Sequence, residues 1–485
     1  MIFYSSGFLI FFSIVTLIYF LLSYKYRSLI LVIASIVFYI FFFPAAYVFL
    51  LLIVIAISYF AGINIEKTKS NKKRKILTVN VVIICIVLII FKYLNFLNLN
   101  VSLLMKHLGL NYQLQHFNII LPLGLSFYTF RCLSYLIEIF KNKFKAERSL
   151  IDYSLYVMFF PTLMAGPIER PQNLLPQFYK RPVFEYKRVI DGIKIIIWGI
   201  FKKVVIADRL SLFVNQIYDN PIGYKGVTLI VATIFFAFQI YCDFSGYSDM
   251  AVGFAKILGF KLTENFRQPY FSKSISEFWE KWHISLSTWF KDYIYIPLGG
   301  NRASLLKWSF NIFITFLISG LWHGANWTFV IWGGINGFYL IIEKIYQLLK
   351  IRFKKQFILT RIITNRYLKI VSTFSLVNFG WIFFRSNNVE DSFYIITHLF
   401  NGFQDQAFHI LDFTYNLAFS KPSFIVGMFS IFVLIVFDLF LKGKHIGQVL
   451  EKRSTVVRWA IYYFLILGII FFGLFSNNKF IYFQF

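Results

Sequence analysis

Runs of hydrophobic residues recur along the whole chain, at 8–22, 29–43, 47–63, 76–92, 225–241, 307–319, 371–384, 424–441 and 459–473, with polar connectors between them. A helix rises about 1.5 Å per residue, so about 20 apolar residues cross a hydrocarbon core of about 30 Å. Several runs are shorter, which calls for tilt, local thinning or half-crossing. The weakly hydrophobic connections reach only about 30 to 40 residues, too few for a separate soluble domain. The pattern predicts one integral membrane domain over 1–485, all-α and polytopic. It has about ten transmembrane helices with re-entrant and interfacial helices in addition. "MIFYSSGFLIFFSIVTLIYFLL" has neither a basic leader nor a small-residue cleavage site, and reads as the first span rather than a signal peptide.

One stretch does not fit the simple pattern. From Leu305 to Tyr346 the chain is helix-like for 42 residues; unbroken, that helix would be about 63 Å long, twice a bilayer core. It must break, and Gly320, Gly324 and Asn326 mark the place. "LWHGANW", 321–327, therefore puts His323 at a break, where irregular backbone survives only inside protein or along a cavity. A lone histidine in a soluble core is usually a packing residue. Here a functional role is favoured, because imidazole titrates near neutrality and its neutral form is the least costly base to bury.

The remaining polar chemistry falls between Gln239 and Asn336. Asp243 and Asp249 flank "FSGYS"; they either tie helices together, with Asp249 as an N-cap, or face a cavity or a partner. Residues 264–302 are too polar to cross lipid and too aromatic for a solvated loop, and read as an amphipathic interfacial helix. Ser274 or Ser276 starts that helix, with Glu277 completing a capping box after Ser274. Trp279, Trp282, His283, Leu286 and Phe290 share one face, so His283 is open to either an anchoring or a functional reading. "PLGGNR", 297–302, is a turn carrying Arg302, and by itself a weak signal for a phosphate cradle.

Composition agrees: 58% of residues are hydrophobic and 15% charged, with 63 Phe. The net charge of +27 lies in short connectors: Lys25 and Arg27, 66–75, 141–148, Lys350 to Lys369, and 442–453. That is the distribution of cytoplasmic loops, not of a nucleic-acid surface. With all five in the cytoplasm, both termini lie outside, the crossings are even in number, and 97–118 and 386–422 face outward. Cys85, Cys132 and Cys242 form no C-x-x-C, so neither a disulfide framework nor a metal site is expected. There is no P-loop, no G-x-S-x-G elbow and no repeat of fixed period.

In order along the chain, "FFPTLMAGPIERPQNLLPQ", "GIFKKVVIAD", "QIYCDFSGYSDMAVGFAKILGF", "ENFRQPYFSKSISEFWEKWHISLSTWFKDYIYIPLGGNR" and "LISGLWHGANWTFVIWGGINGFYLIIEK" resemble the membrane-bound O-acyltransferase superfamily. The resemblance is greatest to the bacterial branch typified by the alginate O-acetyltransferase membrane subunit. It runs from about 121 to about 380, with a motif-rich core over 121–346. It implies a helical bundle around a central tunnel, with a catalytic histidine at His323 and a second characteristic histidine at His283. Asn326, Trp322, Trp327, Asp243 and Arg302 become the candidate substrate-binding residues, with Arg267, Lys273 and Lys281 as further partners for donor phosphates.

The expected reaction moves an acetyl group from a cytoplasmic thioester, most simply acetyl-CoA, to an outer hydroxyl, with no tightly bound cofactor and no metal. The expected partners are membrane lipid, an extracytoplasmic transferase or acceptor protein, and a secreted or cell-wall polysaccharide, with the chain in the cell membrane. "PLGGNR" favours acetyl transfer over D-alanyl transfer to teichoic acid from a carrier-protein thioester. A transporter or lipid scramblase is the alternative of a different class, since broken helices with buried ionisable groups are also found there.

Overall fold

The computed structural model describes residues 2–69, 71–110, 112, 115, 117–164, 166–353, 365–402, 421–444, 446–475 and 481. Among these the secondary structure is helical, with no strand. Seven helices are long and apolar enough to cross a membrane: Ala46–Lys67, Lys72–His107, Val227–Leu258, Leu305–His323, Arg366–Arg385, Pro422–Leu441 and Thr455–Phe472. Ser6–Leu21 is apolar but shorter, and Tyr24–Ile40 and Trp327–Phe353 are further helices of 17 and 27 residues. The chain is an all-α, multi-pass membrane protein.

Contacts divide the chain into two compact units, Met1–Ile196 with Met250–Thr263, and Ile197–Asp249 with Glu264–Phe485. In the first, Leu125–Phe140 is buried along almost its whole length although it carries Arg131, Ser134 and Glu138. These polar groups lower its hydropathy and hid it from the apolar pattern. Arg131 donates to the carbonyls of Val157 and Thr162, at 3.0 and 2.6 Å. Glu169 accepts from the Thr263 backbone and hydroxyl, and burial pushes its carboxyl above the usual range.

In the second unit the break in the 305–346 stretch is present. Leu305–His323 ends at Gly324, and Trp327 opens the next helix. Asn326 caps that helix, its Oδ1 accepting from the Thr328 N–H at 3.0 Å. The two helices fold back on one another through glycines. A Cβ on Gly320 would lie 2.2 Å from the Phe329 carbonyl oxygen, and one on Gly333 2.3 Å from that of Phe316. Close backbone approach of this kind is how small residues join helices in lipid.

Two expectations need correction. Val227–Leu258 is one continuous helix, so Asp249 lies within it and is not an N-cap. Residues 264–302 do not form one amphipathic helix either. Ser274 does cap a helix through its Oγ, and Glu277 accepts from the Lys273 N–H, yet that helix stops at Lys281. A second, Ile284–Phe290, follows a kink at His283, whose φ of 41° is left-handed. The reason is a competing backbone pairing: Arg267 N–H donates to the Lys281 carbonyl and Ile284 N–H to that of Asn265, at 3.0 and 2.9 Å. The aromatic face meets protein rather than the lipid boundary, with Trp282 5.0 Å from Trp381 and Trp279 5.7 Å from Trp332 between ring centroids.

Candidate active site

His323 is the last residue of its helix and is only 4% exposed. Its imidazole is walled by Trp322, Trp332 and Phe384, with ring centroids 5.0, 5.0 and 5.2 Å away. His283 is 1% exposed and sits edge-on to Phe244 at 4.4 Å and parallel to Phe266 at 6.4 Å. Burial pushes its pKa down to about 3, so the ring is neutral at physiological pH. Trp322 touches both imidazoles, 6.4 Å from the His283 ring and 5.0 Å from that of His323. The two histidines, 40 positions apart in the chain, are thus joined by one indole.

The kink fixes His283 from its backbone. Its carbonyl accepts from the N–H groups of Leu286 and Ser287, at 3.0 and 2.9 Å. Asn265, buried and not singled out by the sequence reading, accepts from Ser285 N–H through Oδ1 at 3.3 Å.

Directly after His323, Gly324, Ala325 and Asn326 line a cavity of about 480 Å³ together with Asn215, Asp219, Phe329, Arg385, Ser386 and Asn387. It is a polar space at the helix break, where irregular backbone needs such surroundings. Phe329 and Phe384 pack at 5.0 Å, which connects the cavity wall to the His323 ring.

The other expected site residues are dispersed. Trp322 is buried between the histidines, whereas Trp327 is 52% exposed and does not line this cavity. Arg302 is exposed in the turn before the Leu305–His323 helix. That turn packs against the start of the helix, Asn301 Oδ1 accepting from Trp308 Nε1 at 3.3 Å, whereas His323 ends it. Arg267 and Lys281 are tied to Glu264 and Glu277, at 3.0 and 2.5 Å.

Asp243 is engaged elsewhere: one oxygen meets Lys203 at 2.5 Å and the other accepts from the Ile481 N–H at 2.8 Å. Lys203 also holds Asp208 at 2.8 Å, and Lys202 holds Asp249 at 2.7 Å and Ser245 at 2.8 Å. Both lysines stand on a π-helical turn, Phe201–Ala207. Among the described residues no group of three or more His, Cys, Asp or Glu is placed to hold a metal ion.

Residues 137–384 match the family described as MBOAT, membrane-bound O-acyltransferase family. The chain is also 39% identical to a Pseudomonas aeruginosa protein named Probable alginate O-acetylase AlgI, over 80% of this chain and 73% of the other. The chain belongs to the membrane-bound O-acyltransferase family. It is therefore an acyltransferase enzyme, and one that needs an acyl donor. It is 31% identical to the Peptidoglycan O-acetyltransferase of Helicobacter pylori, over 95% of this chain and 92% of that one. Its likeness to the Teichoic acid D-alanyltransferase of Bacillus subtilis is 28%, over 55% and 69%.

The sequence of this acyltransferase singled out both histidines and Asn326, but not Lys202, Lys203, Arg385 or Asn387. "GIFKKVVIAD" carried a signal for the lysines, two adjacent cations in an apolar run with an aspartate close behind. Arg385 likewise ends an apolar run, in "GWIFFRS" at 380–386, whereas no signal marked Asn387; both reach the cavity only through folding.

Proposed function

We propose that this acyltransferase moves an acetyl group from a thioester donor, most simply acetyl-CoA, to a hydroxyl of a secreted or cell-wall polysaccharide. The observation that carries this reading is the placement of His323, buried in an aromatic box yet one residue from a polar cavity. His323 takes the proton of the acceptor hydroxyl as its oxygen attacks the thioester carbonyl; the C–S bond breaks, and the thiolate leaves with that proton. Neutral His283, behind Trp322, is suited to hydrogen bonding on the donor side rather than to proton transfer. Asn326 or a backbone N–H near the break stabilises the developing oxyanion. The names of the alginate and peptidoglycan relatives favour a polysaccharide acceptor.

The donor arrives from the cytoplasm and the acceptor from outside, with the chain in the cytoplasmic membrane, both termini outside and 1–485 acting as one catalytic domain. An extracytoplasmic transferase or acceptor protein completes the pathway. The test is transfer from labelled acetyl-CoA by the purified protein with its partner, set beside a D-alanyl carrier-protein thioester. Acetyl transfer that falls about 10²- to 10⁴-fold in His323→Ala supports the reading. Full activity in that variant, or turnover of the D-alanyl donor alone, overturns it.

A further inference from the structure

A second cavity, of about 370 Å³, lies where the π-helical turn meets Lys421–Leu441 and Thr455–Phe472. Phe201 and Val205 come from the turn, Val426 and Val433 from the first helix, and Leu467 and Gly468 from the second. Gly468 admits the Phe201 ring, since a Cβ there would lie 2.8 Å from Phe201 Cε2. The lining holds one polar side chain, Ser430, and its hydroxyl donates to the Gly427 carbonyl of its own helix at 2.8 Å. Other lining residues, Phe429 and Phe471 among them, are exposed, so the groove opens to the side of these helices that meets lipid. An apolar cavity of about 150 Å³ already takes up benzene. This larger one suits an alkyl chain and nothing polar.

One end of the groove carries a charge. Arg209 follows the π-helical turn and is 8% exposed. Its Nη2 donates to the carbonyl of Phe472, a lining residue, at 2.8 Å, and its Nη1 makes a long contact of 3.4 Å with Ser423 Oγ. Nε is buried and has no hydrogen-bond partner among the described residues. The other buried cations of this unit meet carboxylates: Lys202 and Lys203 those of Asp249, Asp208 and Asp243, and Arg385 that of Asp219. Arg209 has no carboxylate partner among the described residues. Ser423 stands in the first turn of one helix and Phe472 ends the other, so Arg209 is at the end remote from the basic connector 442–453.

A buried cation is costly without an anion, and a groove of this lining is best filled by hydrocarbon. A free phosphate would satisfy Arg209 and leave the groove empty; a neutral lipid would do the reverse. One molecule does both when an anionic head adjoins an acyl chain. We infer that this is a binding site for an anionic phospholipid, its phosphate on Arg209 and an acyl chain along Val426, Val433 and Leu467. Thr455–Phe472 is buried over little of its length, and the bound chain adds packing between it and the rest of the unit. The site stands whether or not the acyl-transfer reading does.

The test places the full chain in phosphatidylcholine nanodiscs with a small share of phosphatidylglycerol carrying a photoreactive diazirine on its acyl chain. Cross-linked residues are read by mass spectrometry. Cross-links concentrate on the lining residues of the two helices, and unlabelled phosphatidylglycerol competes for them at least about 10-fold better than phosphatidylcholine. Arg209→Gln abolishes that preference. Val426→Trp, which fills the groove and leaves Arg209 in place, removes the cross-links and carries the test if Arg209→Gln does not fold. Cross-links spread evenly over the lipid-facing helices, equal competition by phosphatidylcholine, or a preference unchanged in Arg209→Gln overturns the inference. Competition by inorganic phosphate as strong as that of the lipid also overturns it, since it would reveal an anion site without a chain.

Discussion

The second unit buries ionisable groups in two very different ways. Around the π-helical turn, Lys202 and Lys203 are each ion-paired within 2.8 Å of aspartates at 208, 243 and 249. Around the helix break, His323 and His283 are packed against aromatic rings. A buried charge in a membrane protein is costly unless it is paired or hydrogen-bonded, so these lysines and aspartates satisfy one another and have little freedom left for chemistry. An imidazole that is neutral can be buried among aromatics and still exchange a proton with a group in the neighbouring cavity. The contrast sets a cluster of paired charges beside two imidazoles packed in rings, one of them a single residue from a polar cavity.

The strongest way to break this comparison is Lys203→Met. It leaves Asp208 and Asp243 buried beside each other and costs about 3–5 kcal/mol, read as loss of folded protein in thermal unfolding. Adding Asp208→Asn and Asp243→Asn recovers most of that loss; no recovery would mean that the lysine does more than neutralise.

His323→Ala is expected to do the opposite. Activity falls about 10²- to 10⁴-fold while the unfolding midpoint moves little, and a variant as unstable as Lys203→Met would place His323 with the architecture. Gly333→Leu separates the hairpin that presents His323, because its Cβ meets the Phe316 carbonyl at 2.3 Å. The expected cost is about 1–3 kcal/mol, with activity lost in proportion to disorder at the break.

The smallest effect concerns pH. Because burial holds the folded pKa of His283 at about 3, the unfolded chain binds a proton that the folded one refuses between that value and about 6.5. Its contribution to stability is fully present above about 6.5 and is lost as pH falls toward 3. Unfolding midpoints measured across that window should fall less steeply in His283→Asn. Identical slopes would show that the ring is protonated when folded.

Local rules made part of this legible beforehand. Length against bilayer thickness located the break within 320–326, and spacing found the cap formed by Ser274 and Glu277. The same rules failed where two distant segments compete for one backbone. The kink at His283 depends on pairing with Asn265 and Arg267, and Asp249, inside Val227–Leu258, is met by Lys202 from a distant segment. Leu125–Phe140 was missed because a hydropathy window scores its buried Arg131 as though it faced lipid.

By itself, then, the chain's order of apolar and polar residues determined a multi-pass helical protein, a helix break at His323 and a family likeness carried by motifs. Those follow from solvent, length and local backbone preference, which act on neighbours in sequence. Only the tertiary structure decided that Trp322 joins the two histidines, that Asp243 belongs to Lys203, and that Arg385 and Asn387 share a cavity with Asn326. Those depend on which distant groups must satisfy one another once water is gone, and that is settled by packing in three dimensions.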